Sequence, residues 1–115
     1  MNLGFIGTGK IASSVIVGIT KSSIRYNKII ISSRNKFIAN RLKKNFKKIY
    51  IEKDNQKIVN RSDWVFLSVT PNVGNKIIRK LSFKPKQTII SFISTISLTQ
   101  LRKMIKINKN IVRAI

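Results

Sequence analysis

The chain carries 24 Lys and Arg against 3 Asp and Glu over 115 residues, a formal net charge of +21, and contains neither cysteine nor histidine. That length suits one domain around one buried core, and the missing cysteine excludes disulfides, thiolate metal sites and a cysteine nucleophile. Because Glu52, Asp54 and Asp63 are the only acids, neither a carboxylate dyad nor a metal-ligand cluster can be assembled, and general acid–base machinery of familiar form is not expected.

The chain opens on an apolar run, residues 3–6, that stops at Gly7-Thr8-Gly9. Apolar residues then recur with helical spacing at Ile11, Ala12, Val15, Ile16 and Ile19. A strand, a tight glycine turn and a helix are predicted. The spacing Gly7-x-Gly9-x-x-Ala12 suits a dinucleotide pyrophosphate: Gly7 for the sharp turn, Gly9 for close backbone approach to the phosphates, and Ala12 for close helix-to-sheet packing. The start of the helix would aim unpaired N–H groups and its positive dipole end at the anion. Lys10 sits in that first turn, where the dipole disfavours a cation and a bound pyrophosphate would offset the cost; a solvated surface lysine is the alternative.

Lys21-Ser22-Ser23 breaks the helix, and Lys28-Ile29-Ile30-Ile31-Ser32 has the continuous apolar character of a strand buried on both faces of a parallel sheet. It runs into Ser33-Arg34-Asn35. In a dinucleotide fold an acid at this tip binds the ribose 2′-hydroxyl of NAD, whereas Arg and hydroxyl donors accommodate the 2′-phosphate of NADP. No carboxylate stands here, so Ser33 and Arg34 favour NADP, with Arg34 able to make charge-assisted, bidentate contact. Asn35 is read as a helix cap.

Ile38, Ala39, Leu42 and Phe46 share one face of the next helix, and Lys43, Lys44, Lys47 and Lys48 lie away from it as a solvated face. Ile49-Tyr50-Ile51 is a short strand, and Asp54 caps a short helix through Ile58-Val59. Residues 64–69, Trp-Val-Phe-Leu-Ser-Val, give the strongest strand signal, with Trp64 read as core. Pro71 starts a helix carrying Val73, Ile77, Ile78 and Leu81. Residues 88–93 form another buried-type strand, and Ser97-x-x-Gln100 is a capping box opening a helix with Leu98, Leu101, Met104 and Ile105 inward. A turn at residues 108–110 leads to a last strand, residues 111–115. Strands alternating with helices predict an α/β fold, a Rossmann-like doubly wound parallel sheet in one domain over residues 1–115, with strand order 3-2-1-4-5-6.

These residues resemble the N-terminal NADP-binding domain of pyrroline-5-carboxylate reductase, an enzyme that reduces a cyclic imine to proline with NAD(P)H. The similarity rests on Gly4-Phe5-Ile6-Gly7-Thr8-Gly9, Ile31-Ser32-Ser33-Arg34-Asn35, Asp54-Asn55, the segment 62–71, the segment 87–97 and the closing Arg113-Ala114-Ile115. The resemblance implies that Ile6, Gly7, Thr8, Gly9, Lys10 and Ile11 cradle the pyrophosphate of NADP(H). It further implies Ser33 and Arg34 at the 2′-phosphate, Asn55 on the adenosine side, and Ser68, Val69, Thr70 and Pro71 along the nicotinamide with Ser94 and Thr95 nearby. No catalytic residue and no metal ligand is assigned. Thr70 stands where the family often has Lys, which removes that contact but not the backbone wall.

The family continues past Arg-Ala-Ile into a helical domain that dimerises and builds most of the imine site. The expectation is therefore cofactor binding with little or no turnover by the chain alone, and an imine substrate only where a C-terminal domain or second chain completes the site; oligomeric state stays open. The N-terminal apolar segment is broken by Gly4, Gly7 and Gly9 and lacks a basic leader, and no run approaches a membrane span, so a cytoplasmic protein without membrane partners is expected. The charge would ordinarily point to nucleic acid. Its lysines, however, are scattered among many Ile and Asn, as in an AT-rich coding bias, and no specific nucleic acid is expected. Two rival functions follow: a basic nucleic-acid-binding protein using Tyr26, Phe37, Phe46 and Tyr50, or an inactive truncated remnant of the reductase.

Overall fold

The computed structural model describes residues 1–106 and 110–114. Six strands alternate with five helices: β1 (Asn2–Ile6), α1 (Lys10–Thr20), β2 (Lys28–Ser32), α2 (Lys36–Asn45), β3 (Ile49–Glu52), α3 (Asn55–Arg61), β4 (Trp64–Leu67), α4 (Pro71–Lys80), β5 (Thr88–Ser91), α5 (Leu98–Met104) and β6 (Ile111–Arg113). The strands form one parallel sheet in the order β3-β2-β1-β4-β5-β6, the predicted order. This is a Rossmann-like α/β sheet.

Strand periodicity explains why the central strands read as unbroken apolar runs. Successive side chains point to opposite faces, and both faces are covered. Leu3, Phe5, Ile29, Ile31 and Phe66 pack with Ala12 and Ile16 of α1 and with Ala39 and Leu42 of α2. Their neighbours Ile6, Ile30, Val65 and Leu67 pack on the other face with Ile58 of α3, Ile78 of α4 and Leu101 of α5. Phe5 and Phe66, paired in register, stack with ring centroids 4.3 Å apart. Gly4 belongs to the second face because α3 comes too close for a side chain: a Cβ there would lie 2.1 Å from Ser62 Oγ.

Helix starts follow local chemistry. Asn35 Oδ1 accepts from Ile38 N–H, Asp54 Oδ1 accepts from Gln56 N–H, and Ser97 with Gln100 closes a reciprocal capping box. Three expectations need correction. Trp64 is not core: it is the first residue of the central strand β4, at the end away from the glycine turn, and stays 38 % exposed. The strand there ends at Leu67 rather than at Val69, because its neighbour β1 turns away at Gly7, and the Ser68 N–H to Ile6 carbonyl bond is the last backbone bond between them. Likewise β5 ends at Ser91 rather than Ile93, with Phe92 N–H still reaching the Leu67 carbonyl. The last strand is seen over Ile111–Arg113. Asn108 of the expected turn and Ile115 of the expected strand lie outside the described residues.

Candidate functional site

The strands are parallel, so their C-terminal ends share one edge. At the β1–β4 junction the chain's connections leave in opposite directions, and a crevice opens there, as it does in doubly wound sheets. The glycine turn forms its floor. Gly7 has φ +95°, and a Cβ on it would lie 2.7 Å from the Ser68 carbonyl oxygen. Glycine is therefore required twice over, for backbone conformation and for space. The turn is held from both flanking strands: Gly7 N–H donates to Ser32 Oγ at 3.0 Å, and Ser68 Oγ donates to the Gly7 carbonyl at 2.9 Å.

Gly9, Ser68, Val69 and Thr70 are common to two connected halves of the crevice. The first half, of about 540 Å³, adds Gly7, Thr8, Arg34, Asn35 and Lys36. The second, of about 320 Å³, adds Lys10, Ile11, Pro71, Phe92, Ile93 and Ser94. Three cations, Lys10, Arg34 and Lys36, therefore face it, and no carboxylate among the described residues does. The acids are engaged elsewhere. Glu52 sits 3.6 Å from Arg61 and accepts from Asp54 N–H; Asp54 caps α3; Asp63 accepts from Asn2 N–H at 2.7 Å.

Two features of the turn bear on a phosphate-bearing ligand. Thr8 is 3 % exposed, yet its hydroxyl oxygen has no hydrogen-bond partner among the described residues, and a buried unpaired hydroxyl is costly unless a ligand satisfies it. A Cβ built on Gly9 meets nothing within 4 Å, so the backbone here borders open space that a phosphate can enter. The first N–H groups of α1 start at the same place.

Of the residues expected at the site, Gly7, Thr8, Gly9, Lys10, Ile11, Arg34, Ser68, Val69, Thr70, Pro71 and Ser94 line the crevice. Ile6 is fully buried beneath the turn and acts through its carbonyl, which accepts from Ser68 N–H. Ser33 is half-buried between β2 and Arg34, and Thr95 is exposed; neither lines the crevice. Asn55 faces a separate hollow with Lys53, Gln56, Ile77 and Lys80, because α3 leaves the edge strand β3 two strands away from the turn. Sequence reasoning missed Lys36 and the clamp by Ser32. Lys36 follows an N-cap asparagine, which places it in the first turn of α2 beside Arg34; that spacing was the available signal.

A family model described as NADP oxidoreductase, coenzyme F420-dependent, matches residues 2–95. The chain belongs to this family. It is similar to 1-pyrroline-5-carboxylate reductase from Streptococcus pyogenes, with 29 % identity and a TM-score of 0.78 over 98 % of this chain and 41 % of that one. A pyrroline carboxylate reductase from Plasmodium falciparum, solved with NADP bound, gives 19 % identity and a TM-score of 0.78 over 98 % and 41 % of the two chains. The prephenate dehydrogenase from A. aeolicus, solved with NAD+, gives 19 % and 0.81 over 98 % and 40 %. The last two likenesses are of fold. The chain thus spans about two fifths of the length of these structures. No curated protein sequence is similar enough to count as a relative. Membership makes this an NAD(P)-dependent oxidoreductase domain whose fold is that of the N-terminal, cofactor-binding part of pyrroline-5-carboxylate reductases. No helix among the described residues is long and apolar enough to cross a membrane.

Among the aromatic residues of the nucleic-acid alternative, Phe37 is 75 % and Tyr50 41 % exposed. Lys48, Arg41 and Lys28 sit over the rings of Tyr26, Phe37 and Tyr50, at 5.2, 5.8 and 5.2 Å, and Phe46 packs into the core.

Proposed function

We propose that the chain is the NADP(H)-binding part of a pyrroline-5-carboxylate reductase-like oxidoreductase. The observation that carries this is the tip of β2, where Arg34 and Lys36 face the crevice and no carboxylate among the described residues competes for a ribose hydroxyl. The Arg34 guanidinium and Lys36 ammonium bind the 2′-phosphate. The Thr8 hydroxyl and the first N–H groups of α1 bind the pyrophosphate, and Lys10 adds positive charge at the same end of the helix. Val69, Thr70 and Pro71 wall the nicotinamide end and exclude water from one side of it. When bound, the reduced cofactor supplies the hydride for a C=N carbon.

Hydride transfer depends on holding donor and acceptor carbons near contact distance. The chain spans about two fifths of the length of the reductases it resembles in fold, and we infer that a further domain or a partner chain completes the imine site and that turnover requires both. The imine substrate class, proline formation and a cytoplasmic setting belong to this proposal.

The test is a pair of assays on the chain alone and on the chain completed by the rest of its protein or a partner chain. The account expects NADPH binding by both, and oxidation of NADPH by 1-pyrroline-5-carboxylate only by the completed form. Failure of the chain to bind NADPH at moderate salt would overturn it. So would a completed form that binds NADPH but leaves that imine untouched.

A further inference from the structure

Arg113 lies at the tip of β6, beyond residue 95 where the family match ends, and it does not line the crevice. Its guanidinium nevertheless reaches back 19 positions to donate to the carbonyl of Ser94. Ser94 does line the nicotinamide half of the crevice. We infer that Arg113 is a positioning residue for the nicotinamide end of the cofactor, an inference that rests on the NADP(H) reading above.

The geometry of the segment after β5 explains how. Ile96 N–H donates to the Ile93 carbonyl at 3.4 Å, closing a four-residue turn with Ser94 and Thr95 at its centre. The central peptide of such a turn, the Ser94 carbonyl and the Thr95 N–H, has no partner inside the turn, and it is the unit whose flip distinguishes the common turn types. Among the described residues none other than Gly7 has positive φ, so the flipped type II form is not the one present. Arg113 secures this orientation with a charge-assisted bond. Holding that peptide fixes the place of Ser94 in the lining of the nicotinamide half. The strand that carries Arg113 is seated in register by Ala114 N–H donating to the Ser91 carbonyl at 2.9 Å.

The experiment compares two ligands on the full chain: NADPH, and 2′-phospho-ADP-ribose, which has every part of NADP except the nicotinamide ring. Arg113→Ala should weaken NADPH binding about tenfold, the scale of one charge-assisted hydrogen bond. Binding of 2′-phospho-ADP-ribose should stay unchanged. Arg113→Lys, which can still donate to the carbonyl, should recover most of the loss, and it serves as the reporter if the alanine variant fails to fold: lysine below wild type for NADPH alone supports the inference. Equal weakening of both ligands in either variant, or no weakening of NADPH, overturns it. If the wild-type chain binds neither ligand, the cofactor reading itself falls; if it binds both and Arg113 proves indifferent, only this inference falls.

Discussion

The two halves of the crevice are built in different ways. In the phosphate half the liganding groups are consecutive, residues 7–9, with Arg34 and Lys36 arriving from the adjacent strand end, and the floor is locked by hydrogen bonds from Ser32 and Ser68. The nicotinamide half, like the phosphate half, is lined from three separated segments, but neither Ile11 nor Ser94 is clamped as Gly7 is, and both are exposed, Ile11 by 54 %. The first half is preorganised by its own strands. On our proposal the second is oriented from behind by Arg113, and its open side is where the imine site is added. On that proposal, affinity and choice of nucleotide belong to the first half, and reaction to what covers the second.

The strongest way to break that contrast is Gly7→Ala. The positive φ and the 2.7 Å approach to the Ser68 carbonyl predict destabilisation of about 3 kcal/mol in urea unfolding, with loss of cofactor binding. A substitution tolerated there would mean the turn is not locked. Next, Arg34→Asp removes a phosphate donor and supplies a ribose-hydroxyl acceptor. NADPH affinity should drop about a hundredfold while NADH binding holds or improves, as read by calorimetric titration of each; an unchanged ratio would take Arg34 out of the site.

Ser32→Ala should act on the floor rather than on the ligand. It leaves the buried Gly7 N–H without its acceptor, at about 1–2 kcal/mol of stability, measurable as a lower urea midpoint. Thr8→Val should do the reverse and is the smallest change to the fold. Since the Thr8 hydroxyl is buried without a partner, its removal should leave stability within about 0.5 kcal/mol of wild type, yet weaken NADPH by about fivefold. A large loss of stability in Thr8→Val would show the hydroxyl to be structural.

The difference between the halves also decides what could be read in the sequence. Strand order, the glycine turn and the caps at Asn35, Asp54 and Ser97 were legible because each is set by neighbouring residues: runs buried on both faces, glycine where φ must be positive, an oxygen two or three residues before the N–H it accepts from. Trp64 was misplaced because aromatic content marks a strand without saying which end of it stays exposed. Asn55 was assigned through resemblance, and its position depends on how far α3 begins from the turn. The bond from Arg113 to Ser94 and the clamp by Ser32 join positions 19 and 25 residues apart. No local pattern encodes such pairs; they follow from register, which appears only once the sheet is assembled.

The central claim is that a dinucleotide phosphate sits on the first turn with its extra phosphate at the tip of β2. Amide NMR of the chain titrated with NADPH tests this residue by residue. The largest shifts are predicted at Gly7, Thr8, Gly9 and Lys10 and at Arg34 and Lys36, saturating together and much reduced with NADH at the last two. Shifts concentrated instead along the lysine face at Lys43, Lys44, Lys47 and Lys48, with the glycine turn unmoved, would contradict it.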